Sequence, residues 1–438
     1  MIRRVLGSLA TLALGAAIGA AVLRARPAFG STLDALPASL ELAVPAGAIG
    51  FALARSRLAH HSLAIPALSS LALLALVLWP PARVSDSTPL AIAALALAIA
   101  PLIARAQLGL AVAALPAIEL ALGRDGIGQV IGGAARSSNR ATLLGAFCLL
   151  LALAWVADLA ASRLTRPAGP VTLPQHALLL RAAAGVAAAA LLIASMGPTL
   201  AGSATLVLDS PIPFERMQPP SSLHWLGTDQ LGRDLLARLC AATRSSLLLG
   251  GSAALAGSLT ATASTLVAST LGAGGLRLHE LLERGVLLLP LIPLVTGSVT
   301  VVDGSPSLGT ATLLAALAWS VTAGRIRPRA QHTLAAGTVW RTRSLGGSAL
   351  DVARRHVLPD VIPVAIGGGF AALGAALVAE SSLALVTGDR STLGGVLADA
   401  IGAGALPAGN WWYGGIAGAW AAMLATSVLV LARAERLA

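Results

Sequence analysis

The sequence predicts an all-α polytopic membrane protein, with about twelve transmembrane helices arranged as two six-helix halves. Three observations carry this expectation: the apolar share of the chain, the length of its apolar runs, and a motif that occurs twice. Hydrophobic residues make up 56% of the 438 residues and charged residues 11%. Soluble domains carry about 25% charged residues, and a single soluble core stops growing near about 300 residues. Lipid can solvate what such a core cannot. Aromatic residues are only 3% of the chain, and the small residues that dominate let membrane helices approach closely.

Apolar runs of about 20 residues read as spanning helices. Candidates lie at 5–23, 38–54, 62–79, 88–104, 107–122 and 141–160. A second series lies at 177–201, 244–272, 284–303, 308–324, 361–387 and 412–432. The first run follows Arg3 and Arg4. It is longer than a signal-peptide core and no small-residue cleavage site follows, so it reads as a retained helix.

The formal net charge is +11, every basic side chain other than His is Arg, and there is no Lys. Arg collects in cytoplasmic segments. With the N-terminus inside, most Arg falls in inside segments, and both termini lie in the cytoplasm of a plasma-membrane protein. No basic face on a soluble fold is visible, which argues against a nucleic-acid partner. A nucleotide-binding P-loop needs a Lys to reach the phosphates, so any ATP would be bound by a separate subunit. Cys148 and Cys240 read as free thiols, because two distant cysteines make no framework. His60 and His61 read as a solvated loop edge beside Arg55 and Arg57, and no metal site is expected. No paired carboxylates or nucleophile motif point to bond chemistry, so the chain reads as a transport subunit rather than an enzyme.

Residues 119–134 read ELALGRDGIGQVIGGA and residues 380–400 read ESSLALVTGDRSTLGGVLADA. Each has a Glu, an apolar turn, a Gly beside an Arg and an Asp, and a Gly-containing amphipathic stretch. They fall in the fifth and eleventh spans, which share an orientation, as in a parallel repeat. The predicted organisation is a shortened first half at 1–160, a Pro- and Gly-containing linker at 161–176, and a second half at 177–438. Glu119 and Glu380 are candidate intramembrane carboxylates, which are functional by default.

Two long polar segments stand out, and function concentrates in such segments. The first, 202–243, is placed outside and contains HWLGTDQLGRD at 224–234. Its candidate residues are His224, Gly227, Thr228, Asp229, Gly232, Arg233 and Asp234. The glycines permit tight turns, and Asp229, Arg233 and Asp234 can pair to fix the loop. The second, 325–362, is placed inside and holds seven Arg. Here Gly346 and Gly347 break an apolar pattern, Ser348 can cap a short helix over 349–357, and Pro359 is expected to end it. Such a helix can lie along the membrane surface or dock in the groove of a cytoplasmic partner.

HWLGTDQLGRDLLARL followed by TRSSLLLG closely resembles the dipeptide/oligopeptide/nickel family of ABC transporter permeases, in the second of its two paired subunits. Gly346, Arg355, His356, Leu358 and Pro359 resemble that family's cytoplasmic coupling loop, and Glu380, Ser382 and Leu383 its following Glu-Ala-Ser-Leu run. Trp319 and Arg325 also fall near family positions. This resemblance covers about 177–432. SLELAVPAGAIGFALARSR at 39–57, Glu119 with Gly126 and Gly128, and Asp158 resemble the partner subunit more weakly. The chain thus looks like a fusion of two permeases. Arg341 and Thr342 replace the paired Ala of the coupling loop. The first half has no such loop, only a turn around Arg105, and it lacks the partner subunit's large external insertion.

The resemblance implies the permease of an ATP-driven importer of small peptides or a related solute such as nickel, with substrate passing between the halves. It implies cytoplasmic ATPase subunits, which bind ATP and Mg and dock on Arg341, Gly346, Gly347, Ser348, Arg354, Arg355, His356, Leu358 and Pro359. It also implies an extracellular or periplasmic substrate-binding protein. The chain itself needs no cofactor, and membrane lipid is its surrounding partner. Two other classes remain open: a secondary transporter driven by an ion gradient, and a transport-inactive membrane scaffold.

Overall fold

The computed structural model describes residue 119 and residues 126–137, 140–164, 177–200, 216–287, 306–387, 389–405 and 408–432. The expected spans at 5–104, the turn at Arg105, His60 and His61, the Pro-containing stretch 165–176 and most of the fifth span lie outside the described residues. The chain divides into two units. Among the described residues, the first unit holds Glu119, α1 (Ile127–Arg136) and α2 (Arg140–Leu164). α2 carries Asp158, and it continues four residues into the expected linker.

The second unit holds α3 (Ala177–Leu200), α4 (Leu235–Thr270), α5 (Gly272–Leu287), α6 (Pro306–Leu334) and α7 (Gly337–Ser344). α8 (Ala349–Val352) passes through a π-turn (Ala353–Val357) into α9 (Leu358–Thr387), and α10 (Leu393–Gly402) and α11 (Trp411–Leu431) follow. There is no strand among the described residues, only an isolated bridge between Thr228 and Asp234. Three stretches are long and apolar enough to cross a membrane: Leu235–Thr270, Ala349–Ser381 and Trp411–Leu431.

α4 is the axis of this unit. Its 36 residues span about 54 Å at 1.5 Å per residue. One face exposes Leu248, Leu255, Leu259 and Val267, a stripe suited to lipid. The opposite face packs on α6 at close range, because Gly257 has no side chain. A Cβ there would come 2.5 Å from that of Ala318 and 2.7 Å from the Ala315 carbonyl oxygen.

Two apolar clusters sit at opposite ends of α4. At its start, Leu235, Leu239 and Ala242 pack with Leu393, Val396 and Ala400 of α10 and Tyr413 and Ala417 of α11. Toward its end, Ala261 packs with Ala323, Ile326 and Ala330 of α6 and with Val357 and Val361 around the π-turn.

The structure corrects three expected boundaries. The external segment 202–243 is helical from Leu235, because the Asp234 side chain accepts from the Ala237 amide and caps α4. Residues 325–334 belong to α6 rather than to a loop, since side-chain partners carry the helix onward. Arg325 Nη2 donates to the Ala432 carbonyl at 3.0 Å, Arg327 Nε to Glu283 at 3.0 Å and Arg329 Nη2 to Asp360 at 2.5 Å. Pro359 does not end the helix that Ser348 begins. The Leu358 amide donates to the Ala353 carbonyl across the wide π-turn, and α9 continues through Pro359 and Pro363.

Candidate functional site

The polar segment before α4 folds back on itself. Gly227 and Gly232 adopt φ of +80° and +81°, a left-handed region that favours glycine. A Cβ on Gly227 would come 2.5 Å from the Gln218 carbonyl oxygen and 2.8 Å from Trp412 Nε1. Thr228 is buried, and its hydroxyl accepts from the Gln218 amide at 2.9 Å. His224 Nδ1 lies 3.0 Å from Asp234 Oδ1.

Asp229 is fully buried and accepts four hydrogen bonds. Its Oδ1 accepts from the Leu231 and Arg233 amides, each at 2.9 Å. Its Oδ2 accepts from Arg233 Nε at 2.7 Å and Arg238 Nη1 at 3.0 Å. Arg238, one turn into α4, also donates from Nη1 to Tyr413 Oη at 2.8 Å and from Nη2 to Asp399 of α10. Arg390 Nε lies 3.4 Å from the second Asp399 oxygen, and Tyr413 donates to Gln230. Buried charges demand such partners. Sequence reasoning placed Asp229, Arg233 and Asp234 here but missed Gln230, Arg238, Arg390, Asp399 and Tyr413. Arg238 follows Asp234 at i+4, the one local signal that it shares the cluster.

At the other end of the unit, α7 and α8 form a short angled pair. Leu345 leaves α7, and Gly346 at φ +85° turns the chain. Gly347 passes close to α7, where a Cβ would come 2.7 Å from Thr342 Cγ2. Ser348 caps α8 in a reciprocal box with Asp351. His356 Nε2 lies 2.9 Å from Oγ1 of Thr342 in α7. Arg341, Arg354 and Arg355 are exposed, and Arg355 Nε is 4.0 Å from Asp351. Leu358 and Pro359 lie in the first turn of α9. Trp340 is 73% exposed and Leu345 88%, with Leu350 also exposed. Sequence reasoning did not single out these apolar residues.

Behind this pair, α5 packs on α6. His279 is buried, with Nε2 3.0 Å from Ser264 Oγ and its ring 5.4 Å from that of Trp319. Burial, with Arg327 nearby, holds the His279 imidazole below its ordinary value. Burial pushes the Glu283 carboxyl up, opposed by the Arg327 hydrogen bond.

Glu119 and Glu380 are both buried. Glu119 Oε2 accepts from the Gly128 amide at 2.7 Å. Glu380 Oε2 accepts from Ser246 Oγ at 2.9 Å.

No protein-family model matches the chain. Curated relatives do. The oligopeptide transport system permease protein OppC of Mycobacterium tuberculosis (strain ATCC 25618 / H37Rv) is 29% identical over 180 residues, covering 39% of this chain and 59% of that protein. The dipeptide transport system permease protein DppC of Bacillus subtilis (strain 168) is 29% identical over 203 residues, covering 45% of this chain and 62% of that protein. The chain is similar to peptide ABC permeases. A probable peptide ABC transporter permease protein of Sinorhizobium fredii, y4tQ, is 46% identical over 59 residues, 14% of this chain and 19% of that protein. The chain thus spans less than two thirds of the length of the two longer-matching relatives.

Proposed function

We propose that this chain is a transmembrane permease of an ATP-driven ABC importer, carrying small peptides or a related small solute such as nickel. In this reading it is a multi-pass plasma-membrane protein with both termini in the cytoplasm, and substrate crosses between its two halves. Separate cytoplasmic ATPases bind ATP and Mg, and a substrate-binding protein delivers cargo outside. The similarity to peptide permeases and the three membrane-length stretches support it.

The observation that carries the ATPase contact is the apolar tip at α7 and α8. A Trp and two Leu project from a surface already rich in Arg, and water solvates such groups poorly. Burying them in a partner's groove, as one short rigid element, would let that partner's movement reach α9 directly. α8, the π-turn and α9 form one unbroken helical path.

Purification of the chain with its ATPases, followed by reconstitution, tests this. ATP-dependent peptide uptake is expected, and Trp340→Asp should lose the ATPases. Uptake that collapses with the proton gradient while ATP persists would replace this reading with an ion-driven one.

A further inference from the structure

Glu119 and Glu380 make the same contact in the two units. Glu119 is 1% exposed and Glu380 3%. Gly128 is the second residue of α1, and its amide donates to Glu119. Gly394 is the second residue of α10, and its amide donates to Glu380 Oε1 at 3.3 Å. Each of the two helices has ten residues. Each presents one buried apolar face: Ile127, Ile131 and Ala134 in α1, Leu393, Val396 and Ala400 in α10. Each carboxylate also has a glycine against it. A Cβ on Gly126 would come 2.5 Å from Glu119 Cδ, and one on Gly394 would come 2.9 Å from Glu380 Oε1.

The first amides of a helix lack intrahelical partners, and inside a membrane no water replaces them. In α10 the amides of its first three residues are met by side chains. Ser246 Oγ accepts from Leu393 at 2.9 Å, Glu380 accepts from Gly394, and Thr392 accepts from Gly395 at 3.2 Å. A carboxylate at this position also faces the positive end of the helix. Ser246 and Arg238 are both on α4, about 12 Å apart along its axis. They hold Leu393 and Asp399, about 9 Å apart along α10. α10 is therefore tied to α4 at both ends, running antiparallel to it.

We infer that Glu119 and Glu380 are positioning residues of one duplicated device, each seating a ten-residue helix through its second amide. In the second unit the seated helix brings Asp399 to Arg238 and so sets the charge cluster beside the 216–234 segment. The Glu lies nine residues before its amide in the first copy and fourteen in the second, so the repeat legible in the sequence keeps the contact across connecting loops of different length. The link to transport rests on the permease reading; the seating itself does not.

Thiol labelling of the full chain in membrane vesicles tests the seating directly. With Cys148 and Cys240 replaced by Ala, Ala400→Cys reports on α10, and Ala330→Cys, equally buried on α6, serves as a control. Glu380→Ala should raise labelling at position 400 about tenfold and leave position 330 protected, as expected of a local opening. Glu380→Gln keeps a carbonyl for the Gly394 amide and should restore labelling to within about twofold of the parent. Ser246→Ala, which leaves Glu380 in place, should give a smaller rise at 400. In the first unit, Glu119→Ala should raise labelling of Ala134→Cys in the same way. Unchanged labelling in both Glu→Ala variants, or a rise at 400 and 330 alike, would overturn the inference. ATP-driven uptake measured on the same vesicles separates the two claims. If the parent transports nothing while the labelling pattern holds, the permease reading fails and the positioning role stands.

Discussion

Arg238 joins three elements through one guanidinium, meeting Asp229 from the preceding loop, Asp399 from α10 and Tyr413 from α11. Removing it leaves two carboxylates in a buried setting, a loss worth about 3–5 kcal/mol. Arg238→Met should therefore lower the melting temperature of the purified chain far more than Arg233→Ala, which removes one of the four hydrogen bonds to Asp229, that from Nε, and leaves the bond from the Arg233 backbone amide in place. Because Arg233 orders the loop, Arg233→Ala should impair transport of every cargo alike. A change in preference between cargoes at undiminished total uptake would make it a cargo contact instead. His279 offers a pH test. Its folded-state pKa is depressed, so the unfolded chain takes up a proton first as pH falls through about 6.5, and stability is lost on the acid side. Glu283, with its carboxyl pushed up, acts in the opposite direction. The comparison must therefore be made between parent and variant. The fall in melting temperature from pH 7.5 to pH 5.5 should be smaller in His279→Gln than in the parent, and an equal fall would exclude His279 as the cause.

The surface helix α7 and the turn after it depend on one backbone conformation. Gly346 sits at φ +85°, yet a Cβ there would meet nothing within 4 Å. The cost of substitution is therefore conformational rather than steric. Asn tolerates this region and a β-branched residue does not. Gly346→Asn should stay close to the parent, while Gly346→Val should uncouple ATP hydrolysis from uptake when both are measured in the same reconstituted vesicles. Equal behaviour of the two variants would show that the turn's conformation does not matter. Much of this element was legible in the sequence. Ser348 has its capping partner three residues on, and Gly346 interrupts an apolar pattern. What was not legible is what tertiary structure decides. Pro359 reads as a stop by local rules, but the π-turn before it carries the helix through. Arg325, Arg327 and Arg329 read as a cytoplasmic loop because of their charge, but the Ala432 carbonyl, Glu283 and Asp360 hold them on a helix. The charge cluster at the start of α4 shows the same division. Its loop residues lie together in the sequence, whereas Asp399 and Tyr413 are 161 and 175 residues from Arg238, and no local pattern announces such pairs.

At the scale of the second unit, the two polar segments are separated by the length of α4. The 216–234 segment leads into the first turn of α4 and meets α10 and α11 there. The angled pair at 337–352 belongs to the other end, where Val357 and Val361 pack with Ala261, some 26 residues further along α4. At 1.5 Å per residue that interval is about 39 Å, more than the ~30 Å hydrocarbon core of a bilayer. If α4 crosses the membrane, the two segments must therefore face opposite sides. The distribution of Arg predicts which is which. Arg325, Arg327, Arg329, Arg341, Arg343, Arg354 and Arg355 gather at the far end, and such a cluster close to spanning helices belongs in the cytoplasm. Ser222 and Ser348 are both exposed, so a cysteine at either position can be reached from its own side. In whole cells, Ser222→Cys should react with a membrane-impermeant thiol reagent, and Ser348→Cys should react only after permeabilisation. The reverse pattern would invert the orientation. Reaction of both in intact cells would mean that α4 does not separate two compartments, and the permease reading would fall with it.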